Sequence, residues 1–109
     1  REILGFERLL YLFYDDPGLL CDILDTLCDL WVEVFPKAIA DAPVEFFFIW
    51  EDMCYRGGSL ISPALVKTFM GPRYRRITET ARQMGIDVFF VDSDGNVEEL
   101  IPLWLEAGY

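Results

Sequence analysis

Apolar residues along this chain fall into two patterns, stripes at helical spacing and unbroken runs. Phe6, Leu9, Leu10 and Phe13 recur within Gly5 to Tyr14, and Asp15-Asp16-Pro17 then interrupts them, which predicts a short helix. A second helix is predicted from about Pro17 to Ala40. Its buried stripe is expected to be Leu20, Ile23, Leu24, Leu27, Trp31, Val34 and Ala38, with Asp22, Asp25, Asp29 and Glu33 on the opposite face. Pro36 should kink or weaken the last turns of this helix because it lacks an N–H.

The unbroken runs are Val44 to Trp50 and Ile86 to Val91. Runs of this kind predict strands buried on both faces, and the span between them suits one helical crossover joining parallel neighbours. Both runs end in carboxylates, Glu51-Asp52 after the first and Asp92-Ser93-Asp94-Gly95-Asn96 after the second. Parallel strands joined by helices carry their ligand groups at the strands' carboxyl ends, so both acidic clusters are expected at one sheet edge.

Between the strands, Cys54 to Ile61 reads as a loop eased by Gly57-Gly58. Ser62-Pro63 then starts a helix with the stripe Val66, Phe69, Met70, Tyr74, Ile77, Ala81 and Met84. Pro72 should kink that helix or divide it, and Met84-Gly85 should end it. A last helix is predicted over Val97 to Ala107, with Asn96 as cap, Glu99 at the capping-box position and Gly108 beyond its end. The expected fold class is α/β, with two parallel strands and about four helices. Two strands alone leave unpaired edges, so residues 1–109 are expected to be one fragment of a larger domain or to complete their sheet by self-association.

Composition narrows the chemistry. At 109 residues and 53% hydrophobic, the chain has material for the core of one ordinary domain. Its 19 acidic and 9 basic residues give a net charge of -10, which opposes contact with a phosphate backbone, so no nucleic-acid partner is expected. No apolar run approaches the roughly 18 residues of a membrane helix and no secretory pattern opens the chain, so no membrane partner and a cytoplasmic location are expected. Cys21, Cys28 and Cys54 form no C-x-x-C pair and suggest no disulfide framework. The absence of histidine excludes histidine-based catalysis and metal ligation by these residues.

The strand-end carboxylates are the candidate catalytic groups for a small-molecule substrate. Glu51 and Asp52 could act as general base or bind a cation, and the structural alternative is a buried ion pair with Arg56. Asp92 and Asp94 flank a single residue and could hold a divalent metal, whereas D-G-N is also good turn chemistry. Gly57 could let a backbone amide reach a substrate, with Asn96 beside it, although paired glycines more often permit a turn. Cys54 is the thiol placed nearest a strand end, without a histidine to activate it. Lys67, Arg73, Arg75, Arg76 and Arg82 read as the solvated outer face of one helix.

The stretch from Ile49 to Ile77 resembles the uroporphyrinogen decarboxylase superfamily, which includes the heme-pathway decarboxylase and corrinoid-dependent methyltransferases. The resemblance rests on Glu51-Asp52, Gly57-Gly58, Leu60-Ile61-Ser62-Pro63, Phe69-Met70-Gly71-Pro72, Tyr74 and Arg75-Arg76. The early Asp15 to Pro17 and the ending from Leu100 to Gly108 also fit. It implies a partial (β/α)8 barrel completed by further segments, with the site at the carboxyl ends of the strands. Activity would be decarboxylation or, alternatively, methyl transfer with a corrinoid protein as partner; an inactive fragment or interaction module is the alternative from another class. In the zinc-dependent methyltransferases the second strand resembles H-x-C-G-N. Asp92-Ser93-Asp94-Gly95-Asn96 keeps Gly-Asn and puts carboxylates in place of the soft ligands, which suits a harder cation.

Overall fold

The computed structural model describes residues 3–109. Helix α1 spans Phe6–Asp15 and α2 spans Pro17–Ala38. The Asp16 carboxylate accepts a hydrogen bond from the Leu19 amide at 2.9 Å with Pro17 at the first helical position, so D-D-P both stops α1 and caps α2. Strand β1 (Phe46–Trp50) follows, then a small antiparallel hairpin of β2 (Cys54–Tyr55) and β3 (Gly58–Ser59). The chain continues through a short α3 (Pro63–Leu65), a π-helical turn (Val66–Met70), α4 (Gly71–Gln83), β4 (Val88–Asp92) and α5 (Ile101–Glu106).

Strands β1 and β4 are parallel neighbours, paired from Phe46 opposite Val88 to Trp50 opposite Asp92. The expected mixed α/β class and parallel pairing are therefore present. Burial of both strand faces is not. Phe47, Ile49, Phe89 and Val91 turn inward, while Phe46, Phe48, Trp50, Val88 and Phe90 are exposed. Helices cover only one face, so the strands alternate despite an uninterrupted apolar sequence. On the open face, aromatic rings stack edge to face, Phe46 with Phe90 at 5.5 Å and Phe48 with Trp50 at 5.8 Å.

Helix α2 is turned away from its expected orientation. Its buried line is Leu20, Leu24 and Cys28, continuing through Val32 and Phe35, whereas Leu27, Trp31 and Val34 are exposed. The reason lies on α4. Arg73 grips Asp25 with two hydrogen bonds, Nε to Oδ1 at 2.8 Å and Nη2 to Oδ2 at 2.7 Å, and Arg76 reaches Asp29 at 2.7 Å. These pairs bring Asp25 and Asp29, two members of the acidic row of α2, against α4. The basic residues of α4 are thus clamps and not a merely solvated face. Lys67 pairs with Glu106 at 3.0 Å, Arg75 donates to the Glu106 carbonyl at 2.9 Å, and Arg82 donates to the Gly108 carbonyl at 2.6 Å. Three cations thereby hold the carboxyl end of α5, where they also complement its dipole.

Three local features also depart from expectation. Residues predicted as a simple loop contain the β2–β3 hairpin. The interruption expected at Pro72 takes the form of a π turn, in which the Gly71 amide bonds to the Val66 carbonyl and Pro72 enters the first turn of α4. The final helix is shorter than predicted because Glu98 to Leu100 form a turn before it. The main core gathers Phe13, Leu20, Cys54, Ile61, Val66, Tyr74, Leu100 and Trp104, and a smaller one joins Phe47, Ala81 and Ile86 beneath the sheet.

Candidate active site at the strand ends

The parallel ladder brings the two acidic segments together. Beyond the paired residues, the Glu51 amide donates to the Asp92 carbonyl at 2.8 Å, so Glu51 and Asp92 are neighbours at the same carboxyl edge. Glu51 then turns its side chain into the protein. Its Oε2 accepts a hydrogen bond from the Tyr74 hydroxyl, which α4 carries back to the strand end. Burial raises the Glu51 pKa above the usual carboxylate value, with the Tyr74 hydrogen bond opposing the rise and the Asp52 charge adding to it. Burial likewise drives the Tyr74 pKa well up, reinforced by the Glu51 charge. Glu51 thus takes the Tyr74 hydroxyl as its hydrogen-bond partner, in place of the arginine pair that was the structural alternative.

A second layer backs this pair. The Tyr109 ring meets Tyr74 edge to face at 5.7 Å and Phe89 at 6.0 Å. Burial also raises the Tyr109 pKa, followed by the effect of the Glu51 charge. The Tyr109 hydroxyl and the Trp104 indole N–H are buried without a hydrogen-bond partner among the described residues. Trp104 lies near enough to Tyr74 to oppose its pKa rise, without reaching hydrogen-bond geometry.

In front of the pair lies a cleft of about 740 Å³ between α1, α2 and the end of β1. Its walls include Phe6, Leu10, Leu24, Trp31, Trp50 and Met70, and among the described residues the charged ones lining it are Glu51 and Asp52. Apolar concavities with a few converging polar groups are the usual form of small-molecule sites. The combination of a partly buried carboxyl, a phenol and an apolar cleft can hold and move a proton away from water.

The remaining candidates lie elsewhere. Asp92 and Asp94 are exposed and do not line the cleft. Among the described residues, no group of three or more His, Cys, Asp or Glu side chains is arranged to hold a metal ion. Gly57 is exposed in the hairpin turn, and Asn96 docks on that hairpin by donating its amide to the Tyr55 carbonyl at 2.9 Å. The Asn96 side chain accepts from the Glu98 amide at 3.1 Å, closing an Asx turn. Gly95, at φ +80°, lies so close that a Cβ there would come within 2.6 Å of Tyr55 backbone. The D-G-N segment thus serves as a turn that fits the hairpin. Cys54 is buried and burial raises its thiol pKa, which disfavours the reactive thiolate.

Tyr74, the hydrogen-bond partner of Glu51, was placed by sequence reasoning in the packing stripe and in the motif of the resemblance, with no role for its hydroxyl. A phenol on a buried helix face is itself a signal, since its hydroxyl needs a partner. No helix among the described residues is long and apolar enough to cross a membrane. Comparison with protein-family models, curated proteins and solved structures gives no match.

Proposed function

We propose that this chain supplies two neighbouring strand–helix units of a (β/α)8-barrel enzyme like those of the uroporphyrinogen decarboxylase superfamily, acting on a small molecule at the strand ends. In this reading Glu51 carries the proton, Tyr74 positions it, and Asp52 shapes the charge of the site. The observation that carries the proposal is the partly buried Glu51 carboxyl, hydrogen-bonded by Tyr74 at the carboxyl end of β1 and facing the apolar cleft. The unpaired outer edges of the β1–β4 pair and the aromatic face opposite the helices suit strands that continue into a closed barrel, whose interior would take Phe48, Trp50 and Phe90.

Decarboxylation is favoured over methyl transfer on chemical grounds. Replacing a carboxyl group by hydrogen requires a proton donor, and a carboxyl whose pKa is raised by burial stays protonated closer to neutral pH. The test is incubation of the full-length protein with uroporphyrinogen, following loss of side-chain carboxyl groups by mass. Glu51→Gln should slow that loss by about 100-fold. Equal rates for the two proteins would remove Glu51 from the reaction, and methyl transfer to a corrinoid protein without carboxyl loss would replace the proposal by its alternative.

A further inference from the structure

Behind the Glu51–Tyr74 pair the fold buries two polar groups without using them. Trp104 is 6% exposed, and its indole N–H, which can only donate, meets no acceptor among the described residues; the Tyr109 hydroxyl is likewise unpaired. Buried indoles and phenols ordinarily find a partner, so two orphans in one place have a reason. Both belong to α5 and the residues just after it, a segment fastened tightly to α4. The Thr78 hydroxyl donates to the Ala107 carbonyl at 2.7 Å, while Arg75 and Arg82 hold the Glu106 and Gly108 carbonyls. The Tyr109 amide returns to the Trp104 carbonyl at 3.0 Å. These bonds set Trp104 and Tyr109 in the core against Tyr74, whose ring Tyr109 meets edge to face at 5.7 Å.

The Tyr74 oxygen is the acceptor at hand. Its own proton goes to Oε2 of Glu51, which leaves its lone pairs to receive another donor, and Trp104 stands close without completing that bond. We propose that Trp104 is a positioning residue for the Glu51 proton: when Glu51 gives that proton up, the Trp104 N–H closes on the Tyr74 oxygen to form a chain from Trp104 through Tyr74 to Glu51, with the Tyr109 hydroxyl as a second donor toward the new charge. One proton passes from Glu51 to the substrate carbon, and Trp104 and Tyr74 keep theirs, since burial and the Glu51 charge hold the Tyr74 phenol protonated. Donation into the Tyr74 oxygen polarises its O–H, so the chain stabilises the carboxylate more than Tyr74 does alone. Among the described residues the titratable groups coupled to Glu51 are Tyr74 from α4, Tyr109 beyond α5 and Asp52 beside it; the Tyr74 bond favours the carboxylate and the Asp52 charge opposes it. This inference rests on the proposed role of Glu51 as proton carrier and deepens it, but its test reads titration and not turnover.

The experiment is an NMR pH titration of the full-length protein without substrate, with labelled glutamate carboxyls and labelled indole nitrogens. The Trp104 indole N–H should move downfield as pH rises through the Glu51 titration, and in Glu51→Gln that movement should vanish. Tyr109→Phe and Trp104→Phe should each raise the proton affinity of Glu51 about twofold to threefold. In a Tyr74→Phe background Trp104→Phe should add nothing, because the acceptor oxygen is gone. Trp104→Phe also removes packing from the core, but the indole titration needs no change at that position and decides the matter even if the variant does not fold. A Trp104 resonance that ignores the Glu51 titration, or a Trp104→Phe effect of equal size with and without the Tyr74 hydroxyl, would overturn the inference. An indole resonance that follows Glu51 in a protein that removes no carboxyl group from uroporphyrinogen would leave the inference standing and overturn the reaction alone.

Discussion

Tyr74, in the first turn of α4, places its hydroxyl on the carboxylate of Glu51 at the end of β1. One hydrogen bond thus ties the helix to the strand end and holds a carboxyl group in a partly buried position. The two residues stand 23 positions apart in the chain, so the contact is tertiary and not local.

Tyr74→Phe should leave Glu51 without its donor. Stability should fall by about 1–3 kcal/mol, the range for a buried group left unsatisfied. The Glu51 pKa should rise further, because the Tyr74 bond now opposes the effect of burial. Denaturant unfolding and a carboxyl-resolved infrared or NMR titration would check both effects. A Glu51 titration that moves down or stays fixed contradicts the account.

The pH dependence has a definite sign. Glu51 has a folded pKa above its ordinary 4.5, so between those values the folded state binds more protons than the unfolded one. Its contribution to stability is greatest at and below about the unfolded value, and is lost as pH rises through the folded pKa. Glu51→Gln should flatten that slope and cost least at neutral pH. Unfolding free energies measured across the window for both proteins decide the point.

Gly95→Ala should destabilise the fold by about 2 kcal/mol or more. The residue has φ +80°, and an added Cβ would press to 2.6 Å on the Tyr55 backbone, which has no flexible end to move aside. A thermal melt of the variant tests this. Full retention of stability would mean that the turn and hairpin are not packed as described.

The open sheet face distinguishes a barrel from an isolated pair of strands. If the strands close into a barrel that buries the Phe48 ring, Phe48→Ala should cost about 3 kcal/mol or more, although Phe48 is 46% exposed here. A loss below about 0.5 kcal/mol, typical of surface sites, would argue that the face stays open.

What was legible in the sequence was mostly local. Asp16-Pro17 and Ser62-Pro63 start helices because a side-chain acceptor and a preset φ act within one turn. The two strands and their shared acidic edge follow from short apolar runs separated by one crossover. The face of α2 was not legible, since apolar residues occur around most of the helix and periodicity could not choose among them. Arg73 and Arg76, 48 and 47 residues from their partners Asp25 and Asp29, made that choice. The β2–β3 hairpin escaped notice because strands of two residues carry no period. Tyr74 was found but given only a packing role, because its place in an apolar stripe concealed the destination of its hydroxyl.

The π turn at Val66–Met70 is a phase adjustment between two stretches of helix. The preceding residues follow the cleft and main core, while the following ones must aim Tyr74 at Glu51 and two arginines at α2. One residue corresponds to about 100° of helical rotation. Deleting Thr68 to regularise the helix would therefore swing all three contacts off target together, without removing any of the side chains that make them. The register of this single turn is as much a part of the site's chemistry as the carboxyl group, and insertions or deletions here should be tolerated far less than substitutions.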